Sequence, residues 1–309
     1  MNSLKFYVFF ILAVPIIAVQ LISDVLLISH DSFGKYEKNE GLTQSDSLAK
    51  SELIETIRIA TETFRDPQNA RDAGYRPMGP DMPNMGMHWI NTGLAVQRTI
   101  DIKKPSTLTY LPVDGKLKLT GVAYTTPVKA GEKPPVLPIE IMKWHFHSGN
   151  LEKEAHGVHN GHMQQDPEIE MNLAMVHAWV WSVNPDGLFS ADNWGLSFER
   201  FGLKPPRDIN PSVSKALFLA SGNVDYYLRF IELSIEPIII DEKEIRPIFL
   251  EYSSKVSEIL MSGEINNTLS VKNQNYIFAL WQEMWGQIEK ELSPIEWKKI
   301  KVNLDGHEH

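Results

Sequence analysis

The stretch IEMNLAMVHAWVWSV, residues 169–183, constrains the fold more than any other, because its alternation belongs to a β-strand. Successive side chains of a strand point to opposite faces, so Met171, Leu173, Met175, His177, Trp179 and Trp181 share one face. The NPDG at 184–187 is turn chemistry and ends the strand. Upstream, STLTYLPV (106–113) and KLKLTGVAYTTPV (116–128) flank Asp114-Gly115, a dipeptide favoured in type I′ hairpins. A further strand is expected over 142–147. From about Pro211 the period changes. VSKALFLASGNVDYYLRFIEL, EIRPIFLEYSSKVSEILM and QNYIFALWQEMWGQIEKEL carry apolar residues at helical spacing. So does the segment from Ser47, through Leu53, Ile57, Ala60 and Phe64. Pro67 starts a second short helix that Gly74 ends, and the three prolines between Pro77 and Pro83 predict irregular backbone. The expectation is an α+β fold, with an antiparallel β-sheet or barrel-like core, N-terminal helices and a C-terminal helical region. Trp281, Met284 and Trp285 are expected in the core of that region.

The N-terminus carries a separate signal. Lys5 precedes FYVFFILAVPIIAVQLIS (6–23), an uncharged run that stops at Asp24. Extended by VLLI (25–28), it is long enough for a hydrocarbon core of ~30 Å. The small-residue cleavage pattern of a signal peptide is poor, since Gln20 follows Ala18 closely. An uncleaved anchor is the first reading and a signal peptide the second. Both send the remainder out of the cytoplasm, because Lys5 and the free amine stay inside. The expected organisation is 1–29 anchor or signal peptide, 30–46 polar linker, 47–205 His-rich α+β domain and 206–309 helical region. The formal charge of −9 and the lack of a basic run argue against nucleic acid as a partner. With no cysteine, disulfides, thiolate chemistry and iron–sulfur clusters are excluded. Any metal must be held by His, Met, Asp, Glu or backbone.

Five of the ten histidines fall in WHFHSGNLEKEAHGVHNGH, residues 144–162, which makes that stretch the first place to look for a metal. On a strand, His145 and His147 point the same way with Cβ atoms about 7 Å apart. That is a workable bite for one ion with bonds to nitrogen of about 2.0–2.1 Å. The competing reading is a solvated strand face. HGVHNGHM (156–163) reads as a solvated loop between glycines, from which His156 or His159 supplies one further ligand. His177 is either a buried ring hydrogen-bonded to backbone or a ligand sharing a cavity with His88. In MGPDMPNMGMH, methionines crowd a proline-rich loop; thioethers are soft ligands that select Cu(I), with Met85 the candidate, or they are gap fillers.

MGMHWIN (85–91), PSTLTYL (105–111), LTGVAY (119–124) and VHAWVWSVNPDGLFSADN (176–193) together resemble an uncharacterised family of secreted or membrane-tethered bacterial proteins. Its pattern is Met-Gly-x-His-aromatic-x-Asn, then Leu-x-Tyr and Gly-Val-x-Tyr strands, then His-x-Trp-x-Trp-x-x-Asn-Pro-x-Gly-x-Phe. The resemblance covers about residues 55–203 and brings His88 and His177 forward as the matching histidines. It departs in Trp89, where Tyr is more frequent, and in the absence of cysteines. It implies an extracytoplasmic location and an α+β core, and no established activity.

The leading functional expectation is an extracytoplasmic, membrane-tethered metal-binding protein with a His-lined zinc or copper site. Candidate ligands are His145, His147, His88, His177, His156, His159 and Met85. A first alternative is a cupin-like metal-dependent enzyme acting on a small envelope substrate. His145-x-His147 followed by Glu152 is similar to the first cupin metal motif, although the flanking glycines and a clear second motif are missing. Glu152, or Glu154, is the candidate general base beside a metal-bound water, against a plain solvated LEKE segment. A second alternative is a non-catalytic scaffold or ligand-binding module. Neither a Gly-x-Ser-x-Gly elbow nor a phosphate cradle is present.

Overall fold

The computed structural model describes residues 44–139, 142–147, 151–158, 170–261 and 267–305. The expected anchor, most of the expected linker and His159 lie outside these residues. Among the described residues no helix is long and apolar enough to cross a membrane.

Two helices open the fold. α1 (Gln44–Thr61) buries Leu53 and Ile57, and α2 (Pro67–Asp72) starts at a proline capped by the Asp66 carboxylate, which accepts from the Gln68 amide. Six strands follow: β1 (Arg76–Met82), β2 (Gly86–Ile90), β3 (Thr107–Val113), β4 (Lys116–Lys129), β5 (His145–His147) and β6 (Met171–Ala178). Short helices α3 (Thr92–Ala95) and α4 (Leu151–Ala155) interrupt them. The strands form one curled antiparallel sheet in the order β1-β2-β3-β4-β6-β5. Asp114 and Gly115 join β3 to β4 with φ of 49° and 72°, the two positive values a type I′ turn needs.

Three expectations about these strands are corrected. The segment with three prolines is not irregular but forms most of β1. It lies at the sheet edge, where proline is tolerated, and its register breaks between Met78 and Met82. β5 covers only three of the six residues expected. β6 ends at Ala178, where the chain turns away, so Trp181 leaves the face it was assigned. Its indole N–H donates to Thr61 Oγ1, at the end of α1.

Among the described residues, seven further elements follow: α5 (Gly195–Glu199), α6 (Pro211–Ala220), α7 (Val224–Ile235), α8 (Glu242–Met261), α9 (Val271–Ile288), a 3-10 turn (Glu289–Glu291) and α10 (Pro294–Asp305). Their core includes Phe218, Tyr227, Phe249, Met284 and Trp285, and Trp281 packs with them, as the helical periodicity predicts. The sheet therefore has two different faces. Trp89, Leu108, Tyr110, Val122, Tyr124, Val176 and Ala178 pack against α1 and α2. The opposite, concave face looks towards α7 and carries the histidines. Arg200 and Asp81 bind the β1 end of the sheet to α5 through a buried two-point ion pair at 2.6 and 2.7 Å.

Candidate functional site

Alternation sends His88 to the concave side while Met87 and Trp89 turn to the other. Across the strands His88 faces Thr109, and His177 faces Ala123, so small neighbours leave the hollow to the imidazoles. Gly121 lies between them. A Cβ there would come within 2.9 Å of the Ala178 carbonyl and 3.1 Å of the Trp179 ring, so only glycine lets Trp179 lie across β4. β2 and β6 are separated by two strands, a span of about 14 Å in a flat sheet. Yet His88 Nε2 and His177 Nε2 approach to 3.2 Å. Curling of the sheet closes that distance.

From β5 two more rings join. His145 is the register partner of Met175, and its ring stacks on His177 at 5.2 Å with 12° between planes. Trp179 stacks on the other side of His177 at 5.3 Å. His147 stands 5.1 Å from His145, centroid to centroid. Its Nδ1 donates to Glu154 Oε2 on α4 at 2.9 Å, because an ionised carboxylate can only accept. That bond fixes the tautomer and leaves the buried Nε2 of His147 bare. Among the described residues, His145 Nε2, His147 Nε2, His88 Nδ1 and His177 Nδ1 have no hydrogen-bond partner. An unsatisfied buried polar atom costs about 1–3 kcal/mol, so four in one cluster call for a reason.

The electrostatics agree with that crowding. Burial pushes the His88 ring down to about 4 from an ordinary 6.5, and the neighbouring His147 adds to it. His145 falls to about 3, by burial first and then through His147 and His88. Burial, then His145, His88 and His147, hold His177 well below its ordinary value. At neutral pH these rings are uncharged and offer lone pairs. The 3.2 Å between the Nε2 atoms of His88 and His177 is also close to the spacing of about 3.3 Å between two nitrogens on one tetrahedral ion. Among the described residues, no group of three or more His, Asp or Glu is arranged so that it could hold a metal ion as it stands.

The expected site residues separate accordingly. His88, His145, His147 and His177 come together. His156 is buried rather than solvated: its Nδ1 donates to the Glu152 carbonyl at 2.8 Å and its ring stacks on Tyr226, at the wall of the same cavity. Met85 also lines that cavity. Glu152, the candidate base, is half exposed and paired with Arg229, whereas Glu154 is the carboxylate that touches a histidine. LEKE is thus a short helix presenting Glu154 inward and not a plain solvated segment. Sequence reading missed Tyr226 and Phe230 on α7, which close the cavity opposite the sheet; their helical stripe gave no sign of it. The cavity holds about 440 Å³. No family model, curated protein or solved structure matches the chain.

Proposed function

We propose that this chain is a membrane-tethered, extracytoplasmic metal-binding protein whose centre is the cluster of His88, His145, His147 and His177. The observation that carries the reading is the Glu154–His147 pair. A carboxylate holding Nδ1–H while Nε2 faces a cavity bare is the outer-shell device that orients metal-bound imidazoles. Neutral, desolvated rings around it need no proton removed before they bind. A transition ion of the zinc or copper kind suits imidazole donors.

The test compares the full-length chain with the His145→Ala/His147→Ala variant, both purified without chelator or affinity tag. About one ion per folded wild-type chain is expected, and less than about a tenth of that in the variant. Equal metal content in both, or none in wild type after zinc and copper are offered, overturns the proposal.

The cavity volume favours a second reading. About 440 Å³ is far more than an ion needs and lies within the range of small-molecule pockets. A metal-dependent enzyme acting on a small envelope substrate accounts for that space. An exchangeable water on the bound ion supports this reading, and a closed shell of protein donors opposes it.

A further inference from the structure

Four thioethers line the same cavity as the imidazoles. Met78 and Met82 come from β1, Met85 from the turn before β2, and Met175 from β6 beside His145. The remaining described methionines are elsewhere: Met87 and Met142 against the α1–α2 side, Met284 in the helical core, Met171 and Met261 exposed. The concentration is therefore local to this one hollow.

Methionine fills gaps where a core is irregular, because its three rotatable bonds adapt. The β1–β2 segment breaks register between Met78 and Met82, yet it is held firmly in place. Pro80 and Pro83 stiffen it, Arg200 grips Asp81, the Asn84 carbonyl accepts from the Asn193 amide at 2.7 Å, and the Ser214 hydroxyl donates to the Asn84 side chain. Two hard donors at the same wall are engaged elsewhere, Glu154 on His147 and Glu152 on Arg229. With no cysteine in the chain, thioether is its only sulfur ligand.

Uncharged sulfur beside neutral imidazole matches a soft, weakly charged ion. We infer that this cavity takes copper as the monovalent ion, with the thioethers of Met78, Met82, Met85 and Met175 sharing it with the imidazoles. The inference rests on the metal reading above and adds the identity and charge of the ion. Zinc gains little from thioethers, so it would use the imidazoles alone.

Competition titrations on the full-length chain test it, with Cu(I) against a chromophoric Cu(I) chelator without oxygen, and Zn(II) against a zinc chelator. The wild type is expected to prefer Cu(I) to Zn(II) by about a thousandfold or more, and Met78→Leu/Met82→Leu/Met85→Leu to lower that preference about tenfold or more. Met78→Leu alone, at the exposed sheet edge, is expected to lower it about threefold and guards against misfolding of the triple variant. A preference for zinc in wild type, or a preference unchanged in both variants while the histidine variant loses binding, overturns the copper inference alone. Binding of neither ion by wild type overturns the metal reading, and this inference with it.

Discussion

The two faces of the sheet handle buried polar atoms in opposite ways. On the face covered by α1 and α2, Tyr75 donates to the Pro105 carbonyl, Tyr110 to Phe64, Tyr124 to Ile102, and Trp181 to Thr61. Its exception is a single atom, Trp89 Nε1. On the concave face four imidazole nitrogens in one cluster go unpartnered, and the rings are crowded enough to depress one another's basicity. One face is arranged for stability. The other keeps a cost that makes sense where a ligand relieves it.

The largest effect separating the faces is expected with pH. The folded values for His88, about 4, and His145, about 3, lie below the unfolded 6.5, as does that of His177. Above pH 6.5 neither state carries the proton, so these rings contribute nothing to the pH dependence. As pH falls below 6.5 the unfolded chain takes up protons that the folded one refuses. Stability of metal-free protein should then drop by about 1.4 kcal/mol per pH unit for each ring, until the folded value is reached. Denaturant titrations between pH 7 and 4.5 check this, and His145→Phe should remove one ring's share of the slope. An unchanged slope breaks the contrast.

A smaller effect is expected on the other face. Leu108 is fully buried there, and Leu108→Ala should cost about 2–5 kcal/mol in a urea or thermal melt. Metal affinity of the folded fraction should hold within about threefold, because cost on this side is packing alone. The smallest effect falls on orientation. Glu154→Gln keeps the shape at His147 but weakens the hold on its Nδ1, and metal affinity should fall about 10- to 100-fold with stability little changed. Calorimetric titration with Zn(II) and Cu(I) reads it.

How much of this was legible differs between the faces for a physical reason. Period-2 alternation along 171–178 and the Asp114-Gly115 hairpin are local, and both appear in the structure. The pairing of His145 and His147 on one strand side is equally local, and so is the helical periodicity after Pro211. What was not legible depends on curvature and on edges. No spacing announces that His88 and His177, 89 residues apart, meet tip to tip; that follows from a sheet that curls across β3 and β4. Prolines in β1 hid a strand because propensity assumes both neighbours are present, and an edge strand has only one. Glu154 looked like part of a solvated charge run until α4 turned it towards β5. Trp181 was misassigned because alternation holds only while the strand lasts, and β6 ends at Ala178.

The central claim is that the four imidazoles form one coordination centre. X-ray absorption at the metal edge of the loaded full-length chain tests that most directly, since it counts donors and their distances. The account predicts three or four imidazole nitrogens at about 2.0–2.1 Å, lost in His145→Ala/His147→Ala. A spectrum showing only oxygen neighbours, or one identical in that variant, would contradict it.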